Sequence, residues 1–477
     1  MAGIFGLLGI ARSGMLASQQ AVDVTGQNVA NVHTPGYTRQ RVDQVALPSV
    51  YLPPAGHFGV GTMVTDVART RDALLDQVYR ANAGGAGAAS AREDGLSRLE
   101  GIFGEPSSSG LAAGLDAFWN GWSDLASDPT SLAARGVVQQ RGAAVASQLN
   151  RFAAQIDTLA NDGRQRAQLT VDEINSLVAQ VAGLNRDIVA AESGGHTANT
   201  LRDTRDLLLD RLAAHGDLQV TEAADGSVGV RLGGLLLVDS ADPGKLTLSS
   251  IGGRWQVASA RTPDRPVDVG GALQATLDLV NDDYPEAMAT LDGLARALVG
   301  AVNGIHQSGE LFGTTPPVAA PEFFRTDPLA PTPEADPFRT ARGIRLGVQV
   351  AADLRNIAAG DAGTGASNTG VASRLAALRD TPVTFVNGSG VPETETIGNI
   401  HRGLVTGVAL RVSRAESNDA VQRALVQSAD ARRASVSGVS QDEELANLIK
   451  YQQSYAAAAR LITVADELAQ TLIGMAR

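Results

Sequence analysis

The reactive groups of this 477-residue chain are few and poorly placed for catalysis. Its six histidines stand at positions 33, 57, 196, 215, 306 and 401, and it has no cysteine. A metal site needs ligands spaced to share one helix face or one loop, as in H-E-x-x-H. No such spacing occurs; His306 and Glu310 are four apart, but Gly309 lies between them at a helix end. The lack of cysteine excludes a thiolate nucleophile, a thiolate metal site and a disulfide framework. No G-x-S-x-G elbow is present for acyl transfer. Gly360, Gly363 and Gly365 lack a following Lys-Ser/Thr, and Gly244-Lys245 lacks the upstream glycine, so neither cradles a phosphate. The carboxylate groups Asp282/Asp283 and Asp442/Glu443/Glu444 fall where helix N-termini favour negative charge. We therefore expect no catalytic residue, no cofactor and no metal.

What remains is the chemistry of contact. Pro35 pushes Thr34 out of the helical region and Gly36 completes a turn, after which Tyr37 to Val42 alternates and reads as extended. As structure alone, Pro35 and Gly36 end a helix. As function, Tyr37 and Arg39 beside a helix terminus suit docking on a neighbouring subunit, Arg by bidentate pairing and Tyr by amphipathic area. For Tyr451, Gln452 and Tyr455, holding a helix pair inside one subunit is an equal alternative.

Those residues must be positioned by the two ends of the chain. Ile4, Leu8, Ala11, Met15, Ser18, Val22, Thr25, Val29 and Val32 keep a three-four alternation over four heptads. From Ser440 to Arg477 the same alternation gives Leu445, Leu448, Tyr455, Ala459, Ile462, Ala469, Ile473 and Ala476, completed by Gln452 and Asp466. A second face carries Tyr451, Ala458, Leu461, Ala465, Leu468, Leu472 and Met475. Two apolar faces on one helix require two partners. Ser440 with Glu443 three positions on is a capping box. Small residues along both seams favour close packing in a multi-helix layer.

Between the ends, Ala81 to Ala91 reads as a glycine-alanine hinge or loop, and Phe103 to Gly110 as a break. Leu111 to Ser127 is a helix with Leu115, Phe118, Trp119 and Trp122 on a core stripe. Leu132 to Ala191 holds one long seam, with a four-four step near Gly163 that marks a stutter or a break. Leu201 to His215 is helical. From Asp217 the period changes to two, with a hairpin of Leu218–Glu222 and Val228–Leu232. Helix resumes from Gly271 to about Gln307. Glu310 to Arg339 holds seven of the 19 prolines and reads as a surface excursion. Helix returns from about Thr396 to Val436.

The net charge of −12 disfavours nucleic acid or an anionic membrane as partner. No segment approaches a membrane span, and the apolar N-terminus lacks the basic lead and cleavage site of a secretion signal.

Asn28-Val29-Ala30-Asn31, then Thr34-Pro35-Gly36-Tyr37, resembles the N-terminal motif of bacterial flagellar axial proteins. Thr38-Arg39-Gln40 continues it as in the FlgK family of hook-associated proteins. Ser437-Gly438-Val439, Asp442-Glu443-Glu444, Asn447-Leu448, Tyr451-Gln452-Gln453 and Tyr455 are similar to that family's C-terminal signature. Phe118 to Ala126 with Ala133-Ala134-Arg135 resembles its helical middle.

The resulting expectation is a mainly α chain with a small β domain. Residues 1–42 and 440–477 would form a terminal coiled-coil axial core, 43–215 and 270–439 a helical rod domain, and 216–269 a small outer β domain. The resemblance implies a structural subunit joining hook to filament, exported unfolded without a cleaved signal and polymerised outside the cell through its terminal helices. Those helices are expected to order when neighbours supply apolar partners. The implied partners are further copies of the chain, the hook protein, the second junction protein, the filament cap and an export chaperone at the C-terminal region. The candidate interface is Asn28, Asn31, Thr34, Pro35, Gly36, Tyr37, Thr38, Arg39 and Gln40 at one end, and Leu445, Leu448, Gln452, Tyr455, Ile462 and Ile473 at the other. Two rivals are another axial protein, hook or distal rod, and a secreted enzyme on an axial scaffold. Thr38-Arg39-Gln40 and the long helices argue against the first. Against the second, 217–269 offers no convergent His, Ser and carboxylate set.

Overall fold

A computed structural model describes residues 2–52, 56–314, 318–326, 339–365 and 367–475. Helix α1 (Ala2–Ala30) leads through the Pro35-Gly36 turn into β1 (Gln40–Ala46). This strand pairs antiparallel with β4 (Thr62–Arg69), and β2 (Val50–Leu52) with β3 (Gly56–Phe58) forms a smaller hairpin between them. The described residues of 43–69 thus carry four strands and no helix, against the expected helical rod. The alternation that begins at Tyr37 runs on through Val42, with Val64, Val67 and other β-branched residues on the returning strand.

Helices α2 (Ala73–Phe103), α3 (Leu111–Ser127), α4 (Leu132–Glu192) and α5 (Asn199–His215) follow. Asp72 caps α2 by accepting from the Leu74 and Leu75 N–H groups, and Gly104 in the left-handed region ends it. The expected hinge at 81–91 is instead the unbroken middle of α2. Its glycines are contact points: a Cβ at Gly87 would lie 2.0 Å from the Ala214 carbonyl oxygen, and one at Gly84 3.2 Å from that of Ala213. Close approach of α5 decides the residue type there, against helix propensity. The stutter near Gly163 has a similar origin. Helix α4 runs through it for 61 residues, and a Cβ at Gly163 would meet the Val280 side chain at 2.6 Å.

Strands β5 (Leu218–Glu222), β6 (Val228–Leu232), β7 (Leu235–Asp239) and β8 (Asp242–Pro243) form a four-stranded antiparallel sheet. Strands β9 (Leu246–Ile251), β10 (Arg254–Ser259) and β11 (Thr262–Pro266) form a three-stranded one. Helices α6 (Gly271–Asp278) and α7 (Tyr284–His306) are joined by a π-helical turn over Leu279–Asp283, ahead of Pro285, which has no N–H to give. Strand β12 (Phe324–Thr326) pairs with β13 (Ile344–Leu346), which lies between short helices α8 (Arg339–Gly343) and α9 (Val348–Ala352). Helix α10 (Gly370–Ala377), the hairpin of β14 (Val383–Val386) and β15 (Pro392–Glu395), then α11 (Ile397–Ser437) and α12 (Gln441–Met475) complete the order.

Two apolar clusters sit on α4. The larger takes its first half together with α3, α7, α10 and the start of α11; Phe118, Trp122, Phe323 and Phe324 are its aromatic centre. The smaller takes its second half with α5 and the inner faces of β6, β7, β9 and β10. The β block thus shares its core with helices. Phe323 and Phe324 correct the reading of 310–339 as a surface excursion, because this aromatic pair is fully buried. Most of the prolines of that segment lie outside the described residues.

Candidate subunit interface

Helices α1 and α12 run antiparallel, with Asn28 level with Glu444 and Gly14 level with Ala458. Ala11, Ala17, Ser18, Ala21, Val24 and Thr25 bury one side of the seam, and Ala458 and Ala465 the other. Small residues let the two backbones approach, as the alternation implied. The stripe of α12 that faces α1 lies between the two faces read from the sequence. Leu448 and Ile462 are half-buried in it, whereas Leu445, Gln452, Tyr455 and Ile473 point outward. Both sides of the seam come from one chain. What stays uncovered is the outer surface of α12, where Leu461, Val464, Leu468, Leu472 and Met475 are exposed and Ile473 is 63% accessible.

The Thr34–Gln40 segment is clamped between this pair and the helical body. Asn28, 1% exposed, is its hub. Its Nδ2 donates to the Gln40 carbonyl (2.8 Å) and to Glu444 Oε2 (3.0 Å). Its Oδ1 accepts from the Gln40 N–H (3.0 Å) and the Tyr37 hydroxyl (2.9 Å). Burial, with the Asp203 and Glu444 carboxylates nearby, pushes the Tyr37 hydroxyl up to about 12, so it stays a donor. Arg39 reaches Glu443 (2.9 Å) and Glu444 (2.7 Å), and its N–H donates to the Ser437 carbonyl. The Thr38 N–H donates to Asp203 on α5 (3.1 Å). Tyr37, Thr38, Arg39 and Gln40 therefore spend their bonds inside the chain, and Thr34, Pro35 and Gly36 are the exposed part of the motif, with Asn31 half-buried beside them. Gly36, at φ 80°, makes the turn and faces Leu207 of α5. Glu444, read in the sequence as a cap charge and as part of the C-terminal signature, is buried and ties α12 to both Asn28 and Arg39.

Behind the clamp lies an ion network that the sequence reading missed. Arg69 at the end of β4 pairs with Asp203 (2.9 Å) and Asp206 (2.8 Å). Arg71 pairs with Asp76 and Asp206, Arg80 with Asp206 and Asp210, and Arg433 of α11 with Asp210 while stacking on Tyr79. Burial alone would raise the Asp206 carboxyl, but Arg71, Arg69 and Arg80 hold it below the usual carboxylate range. The signal was present: 203, 206 and 210 fall on one face of α5 at spacings of three and four.

The groups weighed for metal chemistry do not converge. His306 is fully buried; its Nδ1 contacts the Pro321 carbonyl (2.7 Å) and its Nε2 accepts from the Ala358 N–H (3.0 Å). Burial lowers its pKa to about 4, so it is a neutral core bridge. Glu310 turns elsewhere, accepting from the Gly363 N–H. Among the described residues no group of three His, Asp or Glu is placed to hold a metal, and no helix is long and apolar enough to cross a membrane.

Comparison with known proteins places three family models in order along the chain. Residues 8–38 match the flagella basal body rod protein, 96–316 the flagellar hook-associated protein FlgK helical domain, and 433–475 the C-terminal region of the basal body rod FlgEFG proteins. Flagellar hook-associated protein 1 of Bacillus subtilis is 29% identical over 97% of this chain and 96% of its own length. Its namesake in Escherichia coli is 26% identical over 64% of this chain, which spans 57% of that longer protein. In fold, the flagellar hook junction protein FlgK from Burkholderia pseudomallei superposes with a TM-score of 0.65, at 16% identity, over 76% of this chain and all of the solved one.

Proposed function

We propose that the chain, similar over nearly its whole length to flagellar hook-associated protein 1, is a member of that family and joins hook to filament through the outer faces of its α1–α12 pair. One observation carries the mechanism: α12 is closed on one side by its own chain and lined with uncovered apolar side chains on the other. Neighbouring subunits would cover that surface, and an open helical lattice requires each subunit to present two different patches. Leu445, Tyr455 and Ile473 are on the contact side; Asn28, Tyr37, Arg39 and Gln40 set the angle at which the pair leaves the body. Hook protein, the second junction protein and the filament cap are the neighbours this role calls for, with an export chaperone at the C-terminal region beforehand. The chain would leave the cell unfolded, by the flagellar export route, without a cleaved signal. The role is mechanical and uses no catalytic residue or cofactor.

The test removes residues 440–477 and, separately, converts Leu468 and Leu472 to Asp in the full chain. Incorporation onto purified hooks is then followed by electron microscopy, and folding by circular dichroism. Both variants should keep a folded body and fail to assemble. A truncated chain that still polymerises normally would refute the mechanism.

A further inference from the structure

Helix α3 starts without a side-chain cap at its own N-cap position, which is Gly110. Glu105 takes that place from outside the helix, its carboxylate accepting from the Ser107 N–H (3.1 Å) and the Ala112 N–H (3.2 Å). Only glycine leaves room for it, since a Cβ at 110 would lie 2.1 Å from Glu105 Oε1. Between this turn, α3 and the first turns of α11 lies a hollow of about 520 Å³. Its wall is apolar, from Pro106, Leu115, Trp119 and Val405. A small-molecule site needs such a wall and a few placed polar groups, and His401 and Arg402 line the hollow from α11.

His401 is only 3% exposed, and its Nε2 is buried without a hydrogen-bond partner. Burial holds its pKa below the usual histidine value, so the ring is neutral at neutral pH and keeps one N–H to donate. A stranded polar group of this kind is rare in folded proteins, because it forfeits a hydrogen bond that water would have supplied. The carboxylates around the hollow are mostly spent. Glu105 serves α3, and Asp116 pairs with Arg379 (2.9 Å), which leaves Asp380 exposed next along the chain. Arg402 has no carboxylate partner among the described residues; its Nη1 donates to Asn399 Oδ1 (2.7 Å). We propose that this hollow binds a small aryl carboxylate, its flat apolar body against Leu115, Trp119 and Val405 and its carboxylate accepting from the Arg402 guanidinium and the His401 ring. Such a ligand supplies the partner that His401 lacks and the counter-charge that Arg402 lacks. The site belongs to the helical body, and none of its lining residues is on α1 or α12.

The test is calorimetric titration of the full chain with 3-(2-naphthyl)propionate and with the matching alcohol, 3-(2-naphthyl)propan-1-ol, as the uncharged probe. The acid should bind once per chain with a dissociation constant of about 1 mM or tighter, and the alcohol about tenfold more weakly. Arg402→Gln, at an exposed position, should weaken the acid about tenfold and leave the alcohol unchanged. His401→Phe keeps the ring shape and should weaken the acid by a similar factor. It should leave the melting temperature of the free chain unchanged or raised, because the Nε2 has no partner to lose. A residue that only held the fold would do the opposite. Arg211→Gln, an exposed cation on α5, should change neither probe. If His401→Phe folds poorly, Arg402→Gln with the two probes decides. The proposal is overturned if the acid does not saturate, if the alcohol binds the parent as tightly as the acid, or if either folded variant at the site leaves the acid's affinity unchanged.

Discussion

Replacing Asn28 by Ala should loosen the axial unit and spare the body. Asn28 satisfies the buried N–H and carbonyl of Gln40, one oxygen of Glu444 and the Tyr37 hydroxyl. Alanine offers none of these, and each stranded buried group costs about 1–3 kcal/mol. Glu444 keeps Arg39 at 2.7 Å, and Tyr37 is only half-buried, so the two Gln40 groups dominate. The sum is about 2–6 kcal/mol, or roughly a 30- to 20,000-fold rise in opening. Amide hydrogen exchange reads this segment by segment. Protection should fall by that factor in α1, β1 and the start of α12, and stay unchanged in α3 and α4, whose cores include no axial residue. Asn28→Asp should be worse, because it sets a carboxylate beside Glu444. Unchanged protection in the axial unit, or an equal loss throughout the chain, would refute the reasoning.

Lowering the pH from about 6.5 towards 4 should destabilise the body through His306. Its folded-state pKa of about 4 is below the unfolded value of 6.5, so the unfolded chain takes up the proton first and stability falls across that window, by up to about 3 kcal/mol. Thermal melts of the parent and of His306→Gln should differ less at pH 4.5 than at pH 7.5. Gly87→Ala should lower the melting temperature, since its Cβ would strike the Ala214 carbonyl. Gly101→Ala, on the same helix with open space around it, should raise stability by up to about 1 kcal/mol. Phe323→Ala should cost about 3–5 kcal/mol by chemical denaturation, as for other fully buried aromatic residues.

Periodic segments were legible in the sequence, and the joints between them were not. The boundaries of α3, β5 and β6 coincide with the reading of 111–127, 218–222 and 228–232, because each has an unambiguous period bounded by Gly, Pro or Asp. Ala81–Ala91 misled because glycine reports both a break and a close contact, and only the position of α5 distinguishes them. Strands β1 and β4 were absorbed into a helical domain because neither has a cleanly alternating buried face, and β2 and β3 between them are only three residues each. Phe323 and Phe324 were hidden by flanking prolines. At the candidate interface, sequence pattern located the clamp residues but not their partners: Arg39 and Glu443 are 404 residues apart, and only the fold places their side chains together.

Helix α4 is long enough, at 61 residues, to extend roughly 90 Å at the usual rise. It belongs to both apolar clusters at once. A load applied to the β block therefore travels along an unbroken spine into the aromatic core, with no seam at which one half could melt alone. The body should give way as a single cooperative block under force or denaturant, a stiff shaft behind a more compliant tip.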